Sequence, residues 1–286
     1  MIIEVLCVAL VLLIAASALP GRYRRYRFIM GAAGWFFFAV HWALQSTYNI
    51  KIGDYINVML VLAVSVFCLI IAHAMIRNYM HYEDSESTLL TITTAAALGG
   101  LFYYPFAEIE LLNTFLISVV TKQVMYILDV LNIPARLVDW NQIELNNYTV
   151  QIILACTAIE SIAIFIGLIF CVRASAKRVI IAFIASIPVI YMLNLVRNVF
   201  VVVAFGYQWF KGLYQYQWFQ WLNQWLQWEE YRVSFEIAHQ VIAKLGSGIA
   251  LFVIAYVVMQ SLPELLDVID RMVRLLRAYV KGEEDT

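Results

Sequence analysis

Charge is what this 286-residue chain has least of: Asp, Glu, Lys and Arg make up 14% of it, hydrophobic side chains 63%, and its mean hydropathy is +0.79. So little polar surface excludes a soluble Rossmann domain and a disordered tail, and leaves a bilayer as the only solvent for most of the chain. An excess of either sign is also lacking. The net charge of -1 and a pI near 6.4 give no basis for recruiting nucleic acid. Cysteine is scarce too, with only Cys7, Cys68, Cys156 and Cys171, no CxxC and no paired Cys/His spacing. That excludes a disulfide-stapled secreted domain and a cysteine-based metal framework, and no cofactor is expected. No internal repeat, low-complexity segment or domain linker interrupts the sequence.

What the sequence does have is long apolar runs. Seven stretches, 1–19, 28–46, 55–76, 88–105, 152–172, 179–205 and 237–260, are long enough to span ~30 Å of hydrocarbon. The residues predict an all-α polytopic membrane protein of about seven transmembrane helices, forming one integral membrane domain over 1–286. Twelve of the nineteen Lys and Arg fall in four groups: Arg22, Arg24, Arg25 and Arg27; Arg77; Arg173, Lys177 and Arg178; and Arg271, Arg274, Arg277 and Lys281. The positive-inside rule puts all four groups in the cytoplasm, which seven crossings with the N-terminus outside achieve. An eighth candidate, 111–131, carries Lys122, Gln123 and Asp129. Counting it as a crossing would send the Arg173 loop outward, so it is read as an amphipathic helix lying in the outer interface.

Four spans therefore occupy 1–105, an external segment 106–151, and a three-span core 152–260. The external segment ends in alternating Ile143, Leu145, Tyr148, Val150 and Ile152 around Asn146-Asn147, the pattern of a small hairpin. A second external part, 206–235, carries Trp209 and a stripe of Trp218, Trp221, Trp225 and Trp228 interleaved with Gln215, Gln217, Gln220, Gln224 and Gln227, which reads as an interfacial aromatic belt. The tail 261–286 sets Leu265, Leu266, Ile269, Met272, Val273 and Leu276 against its arginines. It reads as an amphipathic helix on the cytoplasmic leaflet.

Ionisable groups inside spanning segments need a reason to be there, because insertion of each costs ~2.5–3.5 kcal/mol. On this topology Cys156, Arg197 and His239 share one depth near the outer face, on three successive spans. Thiol, guanidinium and imidazole are the parts of acyl transfer through a thioester: a nucleophile, a cation for the oxyanion, and a group that exchanges protons near neutral pH. Each has a plainer reading as a buried small hydrophobe, a snorkelling cation or an interfacial imidazole. Asn194, Asn198 and Glu236 flank the set. Glu160, four residues after Cys156, and Lys244, five after His239, are expected to form a structural ion pair at a deeper level. His41, His73 and His81 lie outside this grouping.

The motifs Leu154-Ala-Cys-Thr-Ala-Ile-Glu-Ser161, Leu193-Asn-Leu-Val-Arg-Asn-Val199 and Glu236-Ile-Ala-His239 resemble those of the exosortase/archaeosortase family of membrane cysteine transpeptidases. The resemblance covers roughly residues 152–260. It implies catalytic Cys156, Arg197 and His239. It also implies as partners exported surface proteins whose C-terminus carries a short motif, a hydrophobic helix and a basic cluster. Cleavage at the motif and transfer of the new C-terminus to a membrane lipid amine follow from the same resemblance. Many members have Gly two residues after the cysteine, where this chain has Ala158. A cysteine protease that resolves the thioester with water remains an alternative, as does a transporter using Arg197, Glu160 and Lys244 as a polar path. Against transport, the ionisable groups cluster at one end, and no span is broken at mid-depth by Gly or Pro, Pro188 offering only a possible kink.

Overall fold

In the computed structural model, residues 2–51, 55–80, 86–226 and 228–281 are described; His81 and Gln227 lie outside them. Eleven helices and three strands follow one another among these residues: α1 (Ile2–Ala18), α2 (Arg24–Lys51), α3 (Tyr55–Met80), α4 (Glu86–Glu108), α5 (Glu110–Val130), β1 (Arg136–Asp139), β2 (Gln142–Leu145), β3 (Tyr148–Gln151), α6 (Ile159–Cys171), α7 (Ala176–Gly206), α8 (Gln217–Leu226), α9 (Val233–Glu236), α10 (Lys244–Ser261) and α11 (Glu264–Lys281). A π-helical segment, Ile237–Ala243, joins α9 to α10. The helices α2, α3, α4, α5, α7 and the rod from α9 through α10 are long and apolar enough to cross a membrane, and α1 and α6 are shorter apolar helices. Apolar side chains stay exposed along them, such as Met59, Leu111, Leu245 and Phe252, as lipid contact requires. The protein is all-α and polytopic, with one small sheet.

The stretch 111–131 is helical as expected, and as α5 it is also long and apolar enough to cross a membrane. Two sequence expectations need correction. The stretch 152–172 is not one helix. Leu154–Cys156 form a 3-10 turn, and α6 begins only at Ile159 with 13 residues, about 20 Å of rise. Cys156 therefore precedes the helix instead of lying on it, and Glu160 is not one helical turn below it. The hairpin acquires a third strand, in the order β1-β2-β3.

The chain divides into two compact units. The first comprises 1–102, 163–179 and 261–286. Its core is Leu13, Phe28, Trp35, Cys68, Ile71, Met75 and Leu89, and α2 packs on both α1 and α3. Trp35 donates its indole N–H to Thr93 Oγ1 at 3.0 Å, so the buried ring keeps its polar end satisfied. Helices α4 and α6 approach closely at Gly167, where a Cβ would stand 2.4 Å from the Ala95 carbonyl oxygen. The tail helix α11 is amphipathic as expected, and Arg178 forks onto Glu264 at its start, with one contact at 3.1 Å.

The second unit comprises 103–162 and 180–260. In α5, Ile117, Val120, Thr121, Val124 and Leu128 form one buried stripe at helical spacing. Ile143, Leu145, Val150 and Ile152 from the sheet, and Leu195, Val199, Val202 and Phe205 from α7, complete that core. Asn146 (φ 53°) and Asn147 (φ 67°) make the two-residue left-handed turn that pairs Leu145 with Tyr148. Asn146 Nδ2 donates to the Gly206 carbonyl at 3.2 Å, and a Cβ on Gly206 would fall 2.4 Å from Leu145 Cγ. Gly206 is thus the place where the hairpin sits against the end of α7.

Candidate active site

Cys156 is the last residue of its 3-10 turn, only 9% exposed. Its N–H donates to the Ile153 carbonyl at 2.8 Å, and Thr157 Oγ1 donates to the Leu154 carbonyl at 2.7 Å, closing the turn. Ala158 then takes φ 63°, which an L-residue adopts at a cost of ~1–2 kcal/mol and glycine at none. That reversal sets the direction in which α6 leaves. Glycine would meet this left-handed backbone without strain; this chain reaches it with alanine.

A carbonyl at a broken helix start loses its helical partner, and buried it must find another. Cys156 O finds two. Asn194 Nδ2 donates to it at 2.6 Å and Asn198 Nδ2 at 2.8 Å, so both lone pairs are filled from one face of α7. The two asparagines are one turn apart and Arg197 lies between them. The same helix that pins the Cys156 backbone thus carries the guanidinium. Arg197 is half-buried, and its Nε is fully buried with no hydrogen-bond partner among the described residues.

His239 is set by the π segment. Its ring stacks on Phe235 at 5.2 Å with 13° between planes, Phe235 meets Phe205 at 5.4 Å, and Phe205 meets Tyr148 at 5.0 Å. An aromatic file therefore runs from the hairpin through α7 to the imidazole. Bonding from i to i+5 aligns residues five apart, which brings Lys244 onto the same wall as His239. Pi-helical segments are rare and favour functional sites.

Cys156, Glu160, Asn194, Arg197, His239 and Lys244 line one cavity of about 390 Å³. Phe235, Gln151 and Ser247 also line it, and apolar Ile190, Leu251 and Ile254 continue it. Asn198 acts from behind, through the Cys156 carbonyl. Glu236 is 8% exposed and pairs with Arg232 at 2.9 Å, so its charge is met one turn back and not by His239. The expected Glu160–Lys244 ion pair does not form among the described residues. Glu160 Oε1 instead accepts a hydrogen bond from Tyr103 at 3.4 Å, because the first turn of α6 turns it toward the end of α4. Sequence reasoning missed Phe235, Tyr103, Gln151 and the left-handed Ala158. Of these only Ala158 left a trace in the sequence, as the missing glycine.

The transmembrane exosortase family model matches residues 2–226, and the chain belongs to that family. The match passes through Cys156 and Arg197 and begins far upstream of 152, where the sequence motifs start. Archaeosortase A of Natronomonas pharaonis is 28% identical over 263 residues, covering 86% of this chain and 79% of that relative. Archaeosortase A of Haloferax volcanii is 26% identical over 291 residues, covering 95% and 91%. No solved structure matches the chain.

Proposed function

We propose that this protein is a membrane cysteine transpeptidase that cleaves a C-terminal sorting signal from exported proteins through a Cys156 thioester. One observation carries the reading: Cys156, His239 and Arg197, with its buried Nε free of any partner among the described residues, line a single cavity. His239 takes the thiol proton as Sγ attacks the scissile carbonyl, and the oxygen of that carbonyl becomes an oxyanion beside Arg197. Collapse breaks the C–N bond, and His239 returns the proton to the leaving amine. The thioester then yields to an incoming lipid amine, whose proton passes through His239 to the departing sulfur. Family membership and the relatives named archaeosortase A support this reaction class.

The Lys and Arg grouping supports an N-terminus outside, a cytoplasmic α11 and chemistry at the outer face. A substrate helix could then lie parallel to the spans with its basic cluster inside and its short motif at Cys156. The test is processing of a co-expressed exported protein bearing such a tail. Cys156→Ser abolishes processing, whereas Cys7→Ser, Cys68→Ser and Cys171→Ser retain it. Full processing by Cys156→Ala removes the enzyme reading. A free carboxyl end in place of a lipid conjugate assigns the resolving step to water.

A further inference from the structure

The two edges of the small sheet differ. On the β1 edge the register shifts between Leu137 and Asp139, and Arg136 and Asp139 place charged side chains along it. Both are devices that keep a sheet edge from pairing with another chain. The β3 edge has neither: its register is unbroken, and Tyr148, Thr149, Val150 and Gln151 carry no charge. In a two-residue hairpin the flanking Leu145 and Tyr148 form a hydrogen-bonded pair, so bonded pairs alternate and Ile143–Val150 is the next. Ile152 N–H, which donates to the Asn141 carbonyl at 2.8 Å, keeps that phase. Thr149 and Gln151 therefore aim their N–H and C=O away from β2. Among the described residues no hydrogen bond meets those groups, and both residues are exposed.

The open edge leads to the thiol. The chain continues from β3 through Ile152 and Ile153 into the turn that ends at Cys156, and Gln151, Ile153 and Cys156 line one cavity. Buried Val150 and Ile152, and the bond from Asn141 Nδ2 to the Ile152 carbonyl at 2.9 Å, hold this stretch in place. We infer that the β3 edge, at Thr149 and Gln151, is the docking edge for the exported polypeptide, whose segment beside the scissile bond pairs with it as an added strand. The inference rests on the proposed transpeptidase reading and says how that site grips its protein substrate. Main-chain hydrogen bonds, which any sequence supplies, give the grip, and side-chain choice is left to the cavity. A row of N–H and C=O groups is complemented by another polypeptide backbone and not by an acyl chain. The run of this edge into the Cys156 turn favours a substrate over a second copy of this chain, which needs no nucleophile at its end. Gln151 precedes Cys156 by five residues, so an extended segment puts the scissile bond within about five residues of the paired stretch.

Proline reads the edge directly, because it removes an N–H and, at an outward-facing edge position, leaves the ladder intact. Thr149→Pro and Gln151→Pro should each lower kcat/KM for processing by the full chain ~2- to 10-fold, through KM, for the loss of one hydrogen bond. Leu137→Pro makes the same change on the other edge, since Leu137 pairs with Ile143 and by the same alternation points away from β2. It should leave processing near normal. Wild-type kinetics in both folded β3 variants, or an equal loss in Leu137→Pro, would overturn the inference. Cross-linking tests it without turnover and without proline. In Cys156→Ala protein carrying Thr149→Cys, a short bifunctional thiol reagent should capture an exported protein with one cysteine stepped through its tail. Capture should fall at alternate tail positions within about five residues of the cleavage site, because neighbouring residues of a strand point to opposite faces. Moving the probe to Gln151→Cys should shift the strongest position by two residues. Even capture at successive positions, no capture, or capture of a second copy of this chain in place of substrate would overturn the inference. Alternating capture with no processing by protein that retains Cys156 would spare it and refute the transpeptidase reading.

Discussion

The two compact units are built by different rules. In the first, the helices meet through apolar side chains and glycine contacts, as at Gly167 against Ala95, and Trp35 has its N–H satisfied by Thr93. The second holds every left-handed non-glycine residue among those described, Asn132, Asn146, Asn147, Ala158 and Gln208, together with the sheet and the π segment. It also holds a cavity lined by a thiol, a guanidinium, an imidazole, a carboxylate and an ammonium. Backbone irregularity persists only where surrounding structure over-determines it, and such places cluster at functional sites. The contrast teaches that the cavity lies in the unit whose backbone departs from regular helix, with the left-handed Ala158 directly after Cys156 and the π segment carrying His239.

Substitutions can break or sharpen that contrast. The largest effect among the helpers of Cys156 belongs to Arg197. Lysine keeps the charge but lacks the planar fork, so Arg197→Lys should lower kcat by ~10²- to 10³-fold in a processing assay. Near-normal turnover would reduce Arg197 to an interfacial anchor. His239→Gln should slow turnover by ~10²-fold and remove a limb of the pH–rate profile, since glutamine cannot exchange the proton. A profile of unchanged shape would assign the proton transfers to another group.

The Asn pair comes next. Asn194→Ala or Asn198→Ala leaves one lone pair of a buried carbonyl unmet, at ~1–3 kcal/mol. If the pair positions the nucleophile, kcat should drop about tenfold or more while KM stays close to normal. A loss of thermal stability with normal kcat would make the contact merely structural. Ala158→Gly should raise thermal stability by ~1 kcal/mol with activity kept, because the left-handed φ is then free of strain. The smallest effect is in the scaffold. The hydrogen bonds from Arg178 hold the Glu264 carboxyl below the usual carboxylate range. A depressed folded pKa means the stabilisation is fully present above the unfolded value of ~4.3 and is lost as pH falls through the folded one. Tail proteolysis should therefore accelerate only in that acid window, and Glu264→Gln should abolish the pH dependence without touching kcat.

The features the sequence made legible were those with a repeating signature. Apolar runs announced the helices, Asn146-Asn147 between alternating residues announced the hairpin, and the Cys, Arg and His motifs announced three residues that share one cavity. What stayed hidden depends on where backbone regularity stops. Nothing in 152–172 distinguishes a continuous helix from a turn followed by α6, since Leu154-Ala-Cys is as apolar as the helix after it. The left-handed residue that ends the turn is an alanine where glycine would have signalled it. Counting residues along an unbroken helix put Glu160 beneath Cys156 and opposite Lys244; with the break at Ala158, Glu160 meets Tyr103 and Lys244 has no ion-pair partner among the described residues. Phe235 stands four residues before His239, a helical spacing, but nothing in the sequence separated a stacking ring from an ordinary core aromatic.

The central claim is that Cys156 forms a covalent acyl intermediate in the cavity shared with Arg197 and His239. Intact-protein mass spectrometry of the full chain, quenched during processing of an exported substrate, measures it directly. The account predicts an adduct of the substrate's N-terminal fragment that maps to Cys156, disappears with hydroxylamine and is absent from Cys156→Ala. Cleavage that proceeds with no hydroxylamine-sensitive adduct at Cys156, even when the reaction is quenched early in turnover, would contradict it.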